Sequence, residues 1–255
     1  MRRRTDSSTR LLPDGTPLRN RLLAALPATD YERLATHLRV HSTVTGKALH
    51  ERGRRIHDVY FPNDGVFSIT NRMRDGTLVE VATVGREGML GIGVFLGDRT
   101  GTGPTFQQVA DGLVAALPVA AFVRETAASS ALREQMALYA QAILLQTMQC
   151  TACNARHDVT QRCCRWLLQT HDRVDADDFP LRHEFLAMML GVHRPTVTVV
   201  LHALHQAGLI SSRYGRISVL RRRRLEAASC ECYAVIRRHY VRLGFSTEPR
   251  LRNRL

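Results

Sequence analysis

The stretch that most limits what this chain can fold into is LGVHRPTVTVVLHALHQAGLI, residues 190–210. Its β-branched run Thr196, Val197, Thr198, Val199 and Val200 has strand propensity. Yet Val197, Leu201, Leu204 and Ala207 recur at the spacing of one helix face. The flanking residues favour the helix. Proline costs little in a first helical turn, whose N–H groups have no intrahelical partner, so Pro195 reads as a helix start with His193 at or near the N-cap. Gly208 is placed to end the helix in the left-handed conformation. Upstream, LRHEFLAMML carries a helical stripe at Phe185, Leu186, Met189 and Leu190, and Ala187 is small enough to let a second helix cross closely. Gly191-Val192-His193 is a short break. Downstream, residues 209–219 read as a hairpin with its turn near Tyr214-Gly215. Two short helices joined by a tight glycine-containing turn, then a hairpin, make a winged helix-turn-helix.

The second helix of this unit divides cleanly. Val197, Val200, Leu201 and Leu204 face a core, leaving Arg194, Thr196, Thr198, Val199, His202 and His205 for solvent or DNA. A recognition helix reads base edges with its N-terminal residues. Arg194 can donate two bonds to guanine O6 and N7, and Thr198 or Val199 can touch a thymine methyl. Thr196, the helix N-terminus and the imidazoles suit phosphate, and wing residues Arg213 and Arg216 suit phosphate or the minor groove. The charge distribution agrees. The chain carries a net +13, and from residue 211 onward twelve arginines face only three glutamates, a net of +9. A concentrated basic end fits double-stranded DNA as partner. The plain alternatives are a solubilising tail and a helical hairpin that binds nothing.

The remaining sequence supports a larger architecture. With 44% hydrophobic residues, 255 residues suffice for one large domain or two of ordinary size. Residues 1–17 lack an apolar signal-peptide core and read as a short disordered leader of a soluble cytoplasmic chain. No apolar run of ~18 residues or more suggests a membrane span. Residues 18–40 read as short helices. From about residue 40 to 118, strand-like pieces alternate with turn signals such as Asn63-Asp64-Gly65 and Asp75-Gly76, the pattern of a small all-β barrel or sandwich. LREQMALYAQAILLQTMQCTACNARH then reads as one long helix with Leu132, Met136, Tyr139, Ile143, Met148 and Ala152 on its main stripe. Leu138, Leu144 and Leu145 lie off that stripe, which makes the helix a candidate dimer seam. No nucleophile motif, phosphate loop or paired catalytic carboxylates point to an enzyme.

Six cysteines stand at 150, 153, 163, 164, 230 and 232. Without a secretion signal a structural disulfide framework is not expected. Cys150-x-x-Cys153 and Cys163-Cys164 would bring thiolates near the junction of two helices, and zinc and iron–sulfur sites use such residues. Buried free thiols are the plainer reading. A redox switch through Cys153 or Cys230/Cys232 stays open, as does the proximity of His157 or His171 to Cys153 or Cys163. No metal and no cofactor is expected.

In order and motif the chain resembles the Crp/Fnr family of bacterial transcription regulators from about residue 20 to 235. The resemblance rests on HDVYFPNDGVFSI (57–69), DGTLVEVATVGREGMLG (75–91), FLAMMLGVHRPTVTVVLHALHQAGLI (185–210) and GRISVL (215–220). It is nearest to the branch with EVATVGREGM and a CECY-type tail, here Cys230 to Tyr233. The resemblance implies an α+β chain. Its parts are a leader (1–17), a cyclic-nucleotide-binding-like β-roll sensor (18–125), a dimerisation helix (126–156), a winged helix-turn-helix (157–235) and a basic tail (236–255). It implies a homodimer on a palindromic operator, with RNA polymerase as a further partner. The family's base-contacting positions fall on Arg194, Pro195 and Val199, and its phosphate-contacting positions on His183, His193, Thr196 and His202. Pro195 and Val199 stand where well-known members often carry Glu and Arg. In the sensor, cyclic-nucleotide binders carry Gly-Glu-Leu and, further on, Arg-Ser or Arg-Thr. Here Gly91-Ile92-Gly93 puts Ile92 at the glutamate position, and Arg99-Thr100 comes early, in GDRTGTGP. Gly91, Ile92, Arg99 and Thr100 are therefore candidates for a degenerate effector site that does not take cyclic AMP. Iron–sulfur members draw mainly on N-terminal cysteines, which this chain lacks. A redox- or metal-sensing regulator is the alternative function.

Overall fold

The computed structural model describes residues 10–109 and 112–245, with side chains described throughout except at 106–109. The chain enters through two short helices, α1 (Arg21–Ala24) and α2 (Ala28–Ala35). Seven strands follow: β1 (Arg39–Thr43), β2 (Ala48–His50), β3 (Asp58–Pro62), β4 (Val66–Arg72), β5 (Leu78–Val84), β6 (Thr105–Val109) and β7 (Gly112–Pro118). They form two antiparallel sheets, ordered β1-β7-β3 and β2-β6-β4-β5. The predicted turns sit where the sequence puts them. Gly65 and Gly76 both take positive φ, and the Asp75 carboxylate accepts a bond from the Thr77 N–H at 2.9 Å. Strand alternation builds the core. Val114 joins Phe67, Val84 and Leu90 in a small cluster, whereas Ala115 and Leu117 on the same strand join α1, α2 and the helices that follow.

Part of the expected leader is ordered. Residues 10–17 close a turn in which Leu11 bridges Pro17 and Leu12 is buried. The Asn63 amide holds this turn, accepting from the Arg19 N–H at 2.7 Å and donating to the Pro17 carbonyl at 3.1 Å. Residues 1–9 lie outside the described residues.

After the roll come α3 (Val119–Ala128) and α4 (Ser130–Arg156), the long helix. It starts at 130, not 126, because Ser129 caps it by accepting the Leu132 N–H at 3.0 Å. Its 27 residues span about 40 Å at 1.5 Å per residue. The C-terminal part contains α5 (Val159–His171), β8 (Asp178–Pro180), α6 (His183–Leu190), α7 (Arg194–Gln206), β9 (Ile210–Arg213), β10 (Arg216–Val219), α8 (Arg222–Ala228) and α9 (Cys232–Arg242). The expected basic tail is partly structural. Ile236, Tyr240 and Phe245 are buried in one cluster with Leu132, Met136 and Tyr139, and Phe245 meets the Tyr139 ring edge-on at 6.1 Å. Residues 246–255 lie outside the described residues.

The motif EVATVGREGM turns out to be a joint. Arg173, just past α5, donates from Nε to Glu87 at 2.8 Å and from Nη1 to the Thr83 hydroxyl at 3.1 Å, and both side chains of the Arg173–Glu87 pair are 3% exposed. A Cβ on Gly85 would stand 2.7 Å from the Arg173 Cδ, and one on Gly88 would stand 2.4 Å from the Tyr139 hydroxyl. The two glycines thus admit Arg173 on one side and the long helix on the other. Tyr139 then donates to the Met89 carbonyl at 3.0 Å. A second tie runs from β5 to α5, where the Trp166 Nε1 donates to Glu80 at 3.0 Å and the Ser68 hydroxyl donates to the same carboxylate.

Candidate nucleic-acid interface

Helices α6 and α7 meet at 106°, inside the range of helix-turn-helix units. Gly191 makes the break, with φ of +62°; its own N–H bonds the Met188 carbonyl, and the Val192 N–H bonds the Ala187 carbonyl at 3.0 Å. This is the doubled bond pattern of a glycine-terminated helix. Pro195 lies in the first turn of α7 and Gly208 takes φ +67° just past its end. The β-branched run is helical because Val197 and Val200, with Leu201 and Leu204, are buried in a core with Leu186, Leu190, Trp166 and Ile217. Burial of that stripe outweighs the small intrinsic cost of β-branched residues in a helix.

The opposite face is exposed. Arg194, Pro195, Thr198, Val199 and His202 lie on it, with Val199 70% exposed. His193 and Thr196 stand at the start of the helix, the imidazole exposed and the hydroxyl side chain half-buried. His183, at the start of α6, meets the Thr198 hydroxyl at 3.1 Å and so links the two helices. Arg194 lies against Glu184 at 3.0 Å with both side chains mostly exposed, a pair of little worth in water that a stronger acceptor displaces.

The wing is β8, β9 and β10 in the order β8-β10-β9. The end of the acidic stretch DADDFP, residues 175–180, supplies β8. Tyr214 and Gly215 have φ of +50° and +71°, both positive as the tightest hairpin turn requires. Arg213 and Arg216 face each other across the hairpin. Arg216 is drawn back onto Asp178, Nε to Oδ2 at 2.6 Å, while Arg213 is exposed at the end of β9. Two exposed residues beside these elements went unassigned in the sequence. Tyr214 is fully exposed at the wing tip, signalled only by a Tyr-Gly turn, and Arg182 is exposed at the α6 N-cap. Arg221, Arg223 and Arg224 are exposed directly after the wing. Their neighbour Arg222 turns inward to Asp172 and the Tyr233 hydroxyl, so its charge is spent inside the fold. No single helix is long and apolar enough to cross a membrane among the described residues.

The effector-site candidates are not brought together as a cradle. Gly91 takes φ +89° against His50 and Val59, Ile92 lies half-buried against the core, and Arg99 and Thr100 are exposed. Asp98 ties the Thr100 N–H at 2.8 Å. The glycines beyond are zipped to neighbouring backbone: the Gly101 N–H bonds Arg54 and its carbonyl takes the Gly53 N–H, at 2.9 and 2.8 Å. A Cβ on Gly103 would stand 1.8 Å from the Thr70 carbonyl. The Thr100 and Gly101 N–H groups are engaged with protein, which leaves them little to offer a phosphate. Cavities of about 440 and 330 Å³ open instead between β2 and β3, lined by His50, Arg54, Arg55, Arg39 and Tyr60, and none of the four candidates lines either.

The cysteines divide differently from the sequence expectation. Cys163 and Cys164 are buried in the DNA-binding core, where burial pushes both thiols up, Cys164 to about 12. Cys150 joins the core around the long helix. Cys153 instead meets Cys230 at 3.5 Å between sulfurs, and His157 Nδ1 lies 3.6 Å from the Cys232 sulfur. His171 stays apart, facing Asp177 at 2.8 Å.

Three comparisons bear on this geometry. Residues 161–228 match the Crp-like helix-turn-helix domain family. No curated protein sequence matches the chain. Among solved structures, a transcriptional regulator of the Crp/Fnr family from Eubacterium rectale aligns over 82% of this chain and 98% of its own, with 16% identity and a TM-score of 0.64. FixK2 from Bradyrhizobium japonicum aligns over 76% and 98%, at 17% identity and a TM-score of 0.64. The c-di-GMP-responsive regulator CLP from Xanthomonas campestris aligns over 76% and 99%, at 18% identity and a TM-score of 0.60. Residues 161–228 thus form a Crp-like helix-turn-helix domain, and along most of its length the chain shares the fold of Crp/Fnr regulators.

Proposed function

We propose that the protein is a cytoplasmic homodimer that binds a palindromic operator, with α7 of each protomer in one major groove. The observation that carries this reading is the division of α7, whose buried stripe leaves Arg194, Thr198, Val199 and His202 facing outward together. Arg194 reads guanine; Val199 and Thr198 make apolar or methyl contacts; His183, His193, Thr196 and His202 contact phosphate; Pro195 shapes the first turn; Arg213 and Arg216 serve the flanking backbone. The dimer reading draws on α4. Ala137, Gln141, Leu144 and Met148 are exposed at alternating spacings of four and three, a coiled-coil seam, with Leu144 59% and Met148 61% exposed. A signal shifts the population between two poses of the DNA-binding domains, and the bound dimer acts on RNA polymerase.

The effector reading is a degenerate nucleotide site that takes no cyclic AMP, supported by Ile92 at the glutamate position and by the engaged backbone of the glycine loop. Calorimetry with cyclic AMP, cyclic GMP and cyclic di-GMP tests it, and heat from cyclic AMP would overturn it. A second reading, redox sensing, draws on the 3.5 Å approach of the Cys153 and Cys230 sulfurs; full DNA binding after thiol blocking would remove it. The central test is genome-wide recovery of bound DNA with wild type and Arg194→Ala. The wild type is expected to return a two-fold symmetric site, and the variant to lose about 1–3 kcal/mol of discrimination at one base position per half-site. Unchanged discrimination would refute the assignment of Arg194.

A further inference from the structure

Cys153, Cys230 and Cys232 form a buried cluster of their own, separate from the cores of the roll and of the DNA-binding domain. His157 closes it: one ligating atom from each of the four residues lies within 4.8 Å of all the others. Three thiols and an imidazole gathered this tightly need a physical reason. A sulfur core without a metal would pack as well with alanine or valine and would have no use for a histidine aimed into it.

We propose that Cys153, His157, Cys230 and Cys232 bind one Zn²⁺ ion, pinning the hinge between α4 and α5 to the start of α9. Zinc takes three thiolates and one imidazole in its structural sites, with bonds of about 2.3 Å to sulfur and 2.0–2.1 Å to nitrogen. Tetrahedral angles then place two sulfurs about 3.8 Å apart, and a sulfur and a nitrogen about 3.6 Å apart. The Cys153–Cys230 distance is 3.5 Å and the Cys232–His157 distance 3.6 Å. The set is compact enough for a single ion, whereas an iron–sulfur cluster spreads its ligands over several metal atoms.

The surroundings fit the same ion. His157 presents Nδ1 to the sulfurs, and its Nε2 lies 3.1 Å from Glu231, the carboxylate partner that fixes the ring of a metal-bound histidine. Gln149 donates to the Cys232 sulfur at 3.0 Å. Three thiolates and one Zn²⁺ leave a net negative charge, and the guanidinium of Arg165 stands nearby, 3.4 Å from the Cys150 sulfur. The ligand placement also has a consequence for movement. His157 is the residue at which α4 ends, Asp158 caps α5, and Cys230 and Cys232 bracket the start of α9. A single ion would therefore hold the end of α4 and the starts of α5 and α9 together. The site stands independently of the operator and dimer readings.

Metal content tests the proposal on the full-length protein, without DNA. Wild type purified with added ZnSO₄ and passed through an EDTA-containing gel-filtration column is expected to keep one zinc per chain by mass spectrometry. Replacement by Co²⁺ is expected to give the visible bands and thiolate charge-transfer band of a tetrahedral site. Cys232→Ser and His157→Ala are expected to lose the metal, and Cys163→Ser to retain it. His157→Cys, which restores a fourth ligand, is expected to bind zinc again, so that loss of metal is distinguished from misfolding. Protein that folds yet takes up no zinc, whether its thiols are free or Cys153 and Cys230 are joined as a disulfide, overturns the proposal. So does zinc that survives both ligand substitutions, which marks adventitious binding at other histidines.

Discussion

Glu80 offers a sharp test of how the roll is joined to the DNA-binding domain. It sits on β5 and receives hydrogen bonds from Ser68 in the roll and from Trp166 on α5. Burial pushes its carboxyl from an ordinary 4.5 up to about 7, against those two hydrogen bonds and the charges of Arg165 and Arg173, which all pull the other way. The sign of the consequence follows. Between pH 4.5 and about 7 the folded chain holds a proton that the unfolded chain has released. The carboxyl's contribution to stability is therefore complete below pH 4.5 and is lost as pH rises to about 7. At 1.36 kcal/mol per unit the ceiling is about 3 kcal/mol, and the partial solvent contact of Glu80 brings the expected value nearer 2 kcal/mol. Glu80→Gln keeps an acceptor for Trp166 and never ionises. Trp166 is the only tryptophan, so its fluorescence reports urea unfolding at this joint directly. The stability of the variant relative to wild type should rise by about 2 kcal/mol between roughly pH 4.5 and 8. A difference that stays constant across that range would refute the reasoning, because it would mean that Glu80 ionises as freely in the folded chain as in the unfolded one.

Two further outcomes follow from surface geometry. Replacing Leu144 and Met148 together by lysine places two charges on the proposed seam; sedimentation should then show a monomer at concentrations where the wild type is a dimer. In the wing, Arg213→Ala should weaken binding across all DNA sequences and lower the salt slope by about 1. Arg216→Ala should do less, because Asp178 already holds that guanidinium.

The winged helix-turn-helix was legible because its signals are local. Pro195, Gly191, Gly208 and the stripe through Val197 and Leu201 each act within a few residues, and each appears in the fold where its chemistry places it. The boundaries at 17 and 236 fail for a common reason. Leu12, Ile236 and Tyr240 acquire their structure from partners far along the chain, and nothing nearby announces the burial. Strand β8 is a three-residue piece made only by pairing with β10. The cysteine cluster joins positions 77 residues apart, Cys153 and Cys230, on either side of the whole DNA-binding core. Sequence spacing could bring Cys150 and Cys153 to one helix face, but it could not reveal that α9 folds back onto α4.

Gly85 and Gly88 seat the segment just past α5 and the long helix α4 closely against the roll. Arg173 and Tyr139 occupy the space that side chains at Gly85 and Gly88 would fill. Any movement of the DNA-binding domain relative to the roll must therefore either keep Arg173 with Glu87 or separate them. Separation leaves a buried charge without its partner, at a cost of about 3–5 kcal/mol. A continuous range of intermediate poses would incur that cost throughout. Two discrete poses, each with the pair satisfied or both charges in water, would incur it only in passing. A regulator built on this joint should therefore switch rather than drift.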